Sequence, residues 1–232
     1  MKTKTLKKVM CLMLLALGVL AFQPAAHAVP AIQLFIDDGV NPVINVIDGG
    51  ALDTNPLPGF VDFSYVPAIG DWSFESATGI TYNTLGSVFT PILHFDFLAT
   101  SVATGGAILV GVKATDFMGS NGWIFDAAVE TSGNVWMDAL YDSANDGTGP
   151  TYTNLINSMS FGTPGGFDST FGDVPDFAFG VPYALGINAL ILHEGAGVTS
   201  FNAGLTAVPE PATLLLLGFG LLALLGVRRF TH

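Results

Sequence analysis

The side chains with the clearest chemical potential are oxygen ligands. Asp142-Ser-Ala-Asn-Asp146-Gly147 places carboxylates at the first and fifth positions of a loop, with glycine at the sixth. That is how an oxygen-lined calcium loop begins. Its third position is Ala144 and its twelfth Thr153, which excludes an EF-hand but leaves open an irregular calcium site on Asp142 and Asp146. Asp168, Asp173 and Asp176 form a second acidic group, and Asp37-Asp38-Gly39 a third. Asx residues also dominate ordinary turns, because their side chains bond the local backbone. Turn formation is therefore the expectation for each group, and no motif demands a cofactor.

Catalytic patterns are missing. The sequence has no Gly-x-Ser-x-Gly elbow, no Gly-x-x-x-x-Gly-Lys phosphate loop and no His-Glu-x-x-His pair. His193-Glu194 continues as Gly195-Ala196, so the second zinc ligand is lacking. His94 and Asp96 lie two residues apart, on one face of an alternating stretch whose other face is Leu93, Phe95 and Phe97. That pair is expected on the solvent side of a sheet. A base there also needs a nucleophile, and the sequence suggests none. The expectation is a protein that is not an enzyme.

Aromatic side chains offer another chemistry, the stacking of sugar rings. Trp72 alternates with Phe74, and Trp123 with Phe125, so both are expected in the core. Trp136 shares its strand face with Asp138, Leu140 and Asp142, which makes it the one tryptophan suited to a sugar contact. The preference of large aromatics for sandwich interiors still favours a core position for it.

These residues must be held by strands. Short apolar stretches are punctuated by Asp38-Gly39, Asp48-Gly49-Gly50, Asn55-Pro56, Gly105-Gly106, Asn121-Gly122, Asn145-Asp146-Gly147 and Gly165-Gly166. No long segment shows helical period. Residues 198–207 alternate in part, with Phe201, Ala203 and Leu205 together, while residues 107–112 and 183–192 are continuously apolar, as in central strands. Residues 193–197 read as a hairpin loop. Roughly ten strands at this spacing predict an all-β protein: a single antiparallel β-sandwich, Ig-like or jelly-roll, over 29–207.

The two ends carry almost all the positive charge. Lys2, Lys4, Lys7 and Lys8 precede an apolar stretch, and Ala26-His27-Ala28 supplies small residues before a cut at Val29. Residues 1–28 are thus expected to be a signal peptide removed by signal peptidase at Ala26 and Ala28. The sole cysteine, Cys11, leaves with it, so the mature chain has no thiol or disulfide chemistry. Residues 212–227 are uncharged and apolar, and Arg228-Arg229 follow. As a helix they would span about 24 Å, short of the bilayer core, with the arginines marking the cytoplasmic side. Pro209 and Pro211 hold an extended stretch around Glu210.

From Val29 through Glu210, a single lysine, Lys113, stands against 19 carboxylates, a formal charge near −18. Nucleic acid is excluded as a partner, since phosphate binding needs clustered Lys and Arg. An anionic polysaccharide would be repelled unless divalent cations bridged the surfaces.

Residues 208–232, with Pro209-Glu210-Pro211, the apolar run and Arg228-Arg229, resemble the PEP-CTERM sorting signal of Gram-negative bacteria that make exopolysaccharide. The central region resembles a recurring group of ectodomains carrying that signal, from Ala31-Ile-Gln-Leu through Asp71-Trp72 and residues 106–117 to Thr199-Ser-Phe-Asn-Ala-Gly-Leu205. The resemblance implies export across the inner membrane, temporary anchoring there by the C-terminal helix, and processing by an exosortase. It then implies residence in the envelope or extracellular matrix with exopolysaccharide, in biofilm or floc. No catalytic activity is implied.

Overall fold

The computed structural model describes residues 31–64, 68–81, 86–87, 90–117, 120, 122–145, 154–173 and 181–208. The expected signal peptide with Ala26 and Ala28, the tail with Pro209, Glu210, Pro211, Arg228 and Arg229, and the acidic residues Asp146 and Asp176 lie outside them. Among the described residues no helix is long and apolar enough to cross a membrane.

These residues form thirteen strands. In chain order they are β1 (Ile32–Asp37), β2 (Ile44–Ile47), β3 (Phe60–Phe63), β4 (Trp72–Ile80), β5 (Gly86–Ser87), β6 (Thr90–Ser101) and β7 (Gly106–Phe117). There follow β8 (Gly122–Thr131), β9 (Asn134–Asp142), β10 (Asn154–Phe161), β11 (Gly165–Asp173), β12 (Tyr183–His193) and β13 (Gly197–Ala207). One sheet has the order β10-β9-β12-β7-β1-β2. The other runs β11-β8-β13-β6-β4-β3, with β5 paired to β6. Every pairing is antiparallel.

Strand pairing separates the two expected architectures. β6 pairs with β13, β7 with β12, β8 with β11 and β9 with β10. These nested partners are one long antiparallel ribbon rolled over two sheets, which is a jelly roll. β1 and β2 extend one sheet, β4 and β3 the other.

Alternation in the sequence explains which faces meet. Leu93, Phe95 and Phe97 of β6 and Phe201, Ala203 and Leu205 of β13 are buried, and the rings of Phe95, Phe97 and Phe201 pack against one another with centroids 5.0–6.1 Å apart. β7 and β12, the continuously apolar segments, sit centrally in their sheet. Trp72 and Trp123 are core residues, as expected.

One expectation fails. Residues 193–197 are not a hairpin loop, because β12 and β13 belong to different sheets. A glycine-rich turn of this length can join neighbours within a sheet or cross between sheets, and ribbon topology decides which. In a jelly roll the first and last strands pair, so β13 must cross to reach β6.

Candidate functional site

Three outward-facing or crossing regions carry polar chemistry. The first is the outer face of the β12-containing sheet. Trp136 on β9 is 42% exposed, with Leu190 of β12, 41% exposed, directly opposite. This overturns the core preference for Trp136. Val135, Met137, Ala139 and Tyr141 take the inward positions of β9, so the pleat leaves Trp136 outside. Asp138 is next along the same face, opposite Asn188 on β12 and Ser158 on β10. Burial pushes the Asp138 carboxyl above the ordinary carboxylate range. Asn188 Oδ1 has no hydrogen-bond partner among the described residues. Gly111 makes room here, since a Cβ on it would come within 2.5 Å of both Asn188 Oδ1 and the Phe35 ring.

The second region is the outer face of the other sheet. His94 Nε2 lies 2.9 Å from Asp96 Oδ2, and Asn202 Nδ2 donates to Asp96 Oδ1 at 2.6 Å. The histidine hydrogen bond holds the Asp96 carboxyl below its usual range. The pair faces solvent, as the alternation predicted. Among the described residues, the hydrogen-bond partners of His94 are Asp96 and Asn202, with no serine, threonine or tyrosine hydroxyl.

Asp142, the candidate calcium ligand, is engaged differently. Its Oδ1 accepts from the Ala144 amide at 3.0 Å, and Oδ2 lies 3.7 Å from Lys113 Nζ, with both side chains 3% exposed. A lysine ammonium already sits beside the carboxylate that would face a cation. In the Asp37-Asp38-Gly39 group, Asp37 accepts from Gly39 N, and Asp38 from Val40 N and Asn41 N. Asp168 accepts from Ser169 N. Among the described residues no three His, Cys, Asp or Glu side chains come together as a metal site.

The third region is one that sequence reasoning missed. His193, expected at the end of a hairpin loop, is 2% exposed. It stands where the chain crosses between sheets, and its ring lies 4.8 Å from that of Trp72. Nδ1 is 2.7 Å from Ser101 Oγ, and Nε2 is 2.8 Å from Thr199 Oγ1. Ser101 donates to Gly195 O at 2.9 Å, Thr199 meets Thr131 Oγ1 at 2.6 Å, and Thr131 accepts from Gly133 N at 3.0 Å. Burial lowers the His193 pKa. Ser101 and His193 form a hydroxyl–imidazole pair, but the serine proton is directed to a backbone carbonyl and the pair is shut off from solvent. It ties the sheets together. No sequence signal distinguishes it from a polar turn.

The C-terminal exit is also specified. Val208 N donates to Gly122 O at 2.9 Å, and Ser120 Oγ lies 3.2 Å from Val208 O and 3.0 Å from Gly122 O. Tyr183 OH donates to Ser120 O at 2.9 Å.

Comparison with known proteins adds one positive identification. The family model described as the PEP-CTERM protein-sorting motif matches residues 207–229. The chain thus carries the mark of an exported protein handled by an exosortase. No curated protein matches the chain. Among solved structures, the N-terminal cellulose-binding domain of Cellulomonas fimi β-1,4-glucanase C is similar at 12% identity, over 69% of this chain and 95% of that one, with a TM-score of 0.30. The family 11 carbohydrate-binding module from Clostridium thermocellum, in complex with a β-1,3-1,4-mixed-linked tetrasaccharide, is similar at 11% identity, over 78% and 98%, with a TM-score of 0.30. The enzymatically active domain of bacteriophage CBA120 tailspike protein 4 is similar at 13% identity, over 61% of this chain and 16% of that one, with a TM-score of 0.29. Scores at this level carry no functional argument.

Proposed function

We propose that the exported jelly roll is a non-enzymatic envelope or extracellular-matrix protein that associates with exopolysaccharide after its sorting tail is processed. The observation that carries this reading is the exposed indole of Trp136 on an outer sheet face, beside exposed Leu190 and the carboxyl of Asp138. A sugar ring presents an apolar face that can lie on an indole and hydroxyls that can donate to a carboxylate. With 19 acidic residues against Lys113 in the exported part, the suitable polymer is neutral and hydroxyl-rich, since an anionic one is repelled. The absence of catalysis is supported by His94, whose hydrogen bonds go to Asp96 and Asn202, and by His193, whose serine partner is buried. Partners on this reading are signal peptidase, the exosortase, the membrane through residues 212–227, and the polymer.

Retention of the mature protein on a column of the host's own exopolysaccharide tests the binding. Trp136→Ala is expected to weaken retention about ten-fold while changing stability by less than about 1 kcal/mol, because the side chain is half exposed. Equal retention of both proteins would refute the Trp136 face as the contact.

A further inference from the structure

The sorting motif begins inside the folded domain. Its first two matched residues, Ala207 and Val208, are held by the sandwich: Ala207 ends β13, and Val208 extends the pairing with β8 through its amide to Gly122. Only residues 209–211 separate this point from the apolar run that starts at Ala212. Three residues reach about 10 Å when fully extended. On the reading that residues 212–227 enter the membrane, this pole of the jelly roll faces it for as long as the tail is attached. The chain also enters the sandwich at this pole, where Ala31 pairs with Thr115 next to the end of β7.

The hold on Val208 is reinforced from below. Ser120, 2% exposed, directs its hydroxyl at the carbonyls of both Val208 and Gly122. Its own carbonyl is fixed by Tyr183 OH, whose ring belongs to a buried cluster with Phe117, Trp123 and Tyr141. Burial pushes the Tyr183 phenol far above its ordinary pKa, so it remains a donor at any physiological pH. These bonds tie Val208 to that aromatic cluster.

We propose that this Ser120–Val208 clamp gates processing of the tail. A protease binds extended backbone on both sides of the bond it cuts, and here the upstream side is locked in a sheet. Cleavage passes the acyl carbon of the cut bond to water or to an acceptor amine, while the new amine leaves with the apolar helix. For a cut near Pro209-Glu210-Pro211, the enzyme must first draw Val208 and the end of β13 out of their hydrogen bonds. When such local opening is fast, the cleavage rate follows the population of the open form. Ser120 is thus a positioning residue: it touches neither the bond cut nor the enzyme, and it acts through Val208. The proposal rests on the tail being an exosortase substrate.

The test follows release of the tail from the full chain in cells carrying the exosortase. Ser120→Ala is expected to speed tail release about five-fold, the factor set by loss of one buried hydrogen bond. Inserting four Gly/Ser residues between Val208 and Pro209 leaves the sandwich untouched and is expected to speed release at least as much. In that linker background Ser120→Ala should add nothing, an interaction that mere destabilisation would not produce. Equal rates for wild type, Ser120→Ala and the linker variant would overturn the gate. Slower release from the linker variant would also overturn it, showing that a docked domain assists the cut. A tail retained in all variants would overturn the sorting reading itself.

Discussion

Replacing Lys113 with methionine is expected to lower the stability of the exported domain by about 3–5 kcal/mol, the cost of stripping one partner from a buried ion pair. Lys113 stands on the outward side of central strand β7 and is nevertheless 3% exposed, like its partner Asp142 at the end of β9. Neighbouring Gly186 of β12 leaves room on that face. Without the ammonium, the Asp142 carboxylate keeps its bond from Ala144 N but loses its counter-charge in a domain, residues 29–207, that carries 18 acidic residues and no other Lys or Arg. The double variant Lys113→Met/Asp142→Leu removes both charges and is expected to recover most of the loss, since buried pairs replaced by apolar groups of similar volume are often neutral. Chemical denaturation of the two variants distinguishes the cases. A single variant within about 1 kcal/mol of wild type would mean that solvent reaches the pair.

His193→Gln is expected to have the next largest effect, about 3 kcal/mol, because it breaks a buried chain in which each member depends on the next. One arrangement of protons satisfies every group. Gly133 N–H donates to Thr131, Thr131 to Thr199, Thr199 to His193 Nε2, His193 Nδ1–H to Ser101, and Ser101 to Gly195 O. This arrangement requires neutral imidazole. A proton added at Nε2 would turn Thr199 from donor to acceptor there and leave the Thr199 hydroxyl proton without its acceptor. Burial also lowers the His193 pKa below its ordinary 6.5.

The sign of the pH dependence follows from these two effects. Between the lowered folded value and 6.5 the unfolded chain binds more protons, so stability is full above 6.5 and falls as pH drops below it. The slope is at most about 1.4 kcal/mol per pH unit. Denaturation at pH 7.5 and 5.5 should show the loss in wild type and a smaller one in His193→Gln. Equal slopes would show that His193 is not the group responsible. The glycines around the ring reflect the same packing: a Cβ on Gly133 would meet His193 Cδ2 at 2.5 Å, and one on Gly197 would meet Nδ1 at 2.8 Å.

What was legible in the sequence was set by local periodicity. Alternation in 93–97 placed His94 and Asp96 outside and three apolar side chains inside, because the pleat enforces a period of two. Continuous apolar runs marked β7 and β12 as central. The tail was legible because its chemistry is local to a few residues. What stayed hidden depends on partners distant in sequence. The crossing at 193–197 looks like a hairpin until β13 is known to pair with β6 and β8. The buried state of His193 follows from that crossing, since Ser101 and Thr131 arrive from 92 and 62 residues away along the chain, the first being the direct contact. The sequence marks Asp142 only as a loop carboxylate, in a turn or on calcium; its partnership with Lys113 depends on the β9–β12–β7 order. Trp136 shows the limit of a compositional preference: its strand already had four inward side chains, and the pleat overrode the general tendency of aromatics to be buried.

On the reading proposed above, this jelly roll is exported and released from a sorting tail. Mass spectrometry of the protein purified from its natural host tests it most directly. The expected mature chain begins at Val29 and ends near Pro209-Glu210-Pro211, with residues 212–232 gone. A mature protein that still carries Arg228, Arg229 and His232 would contradict it.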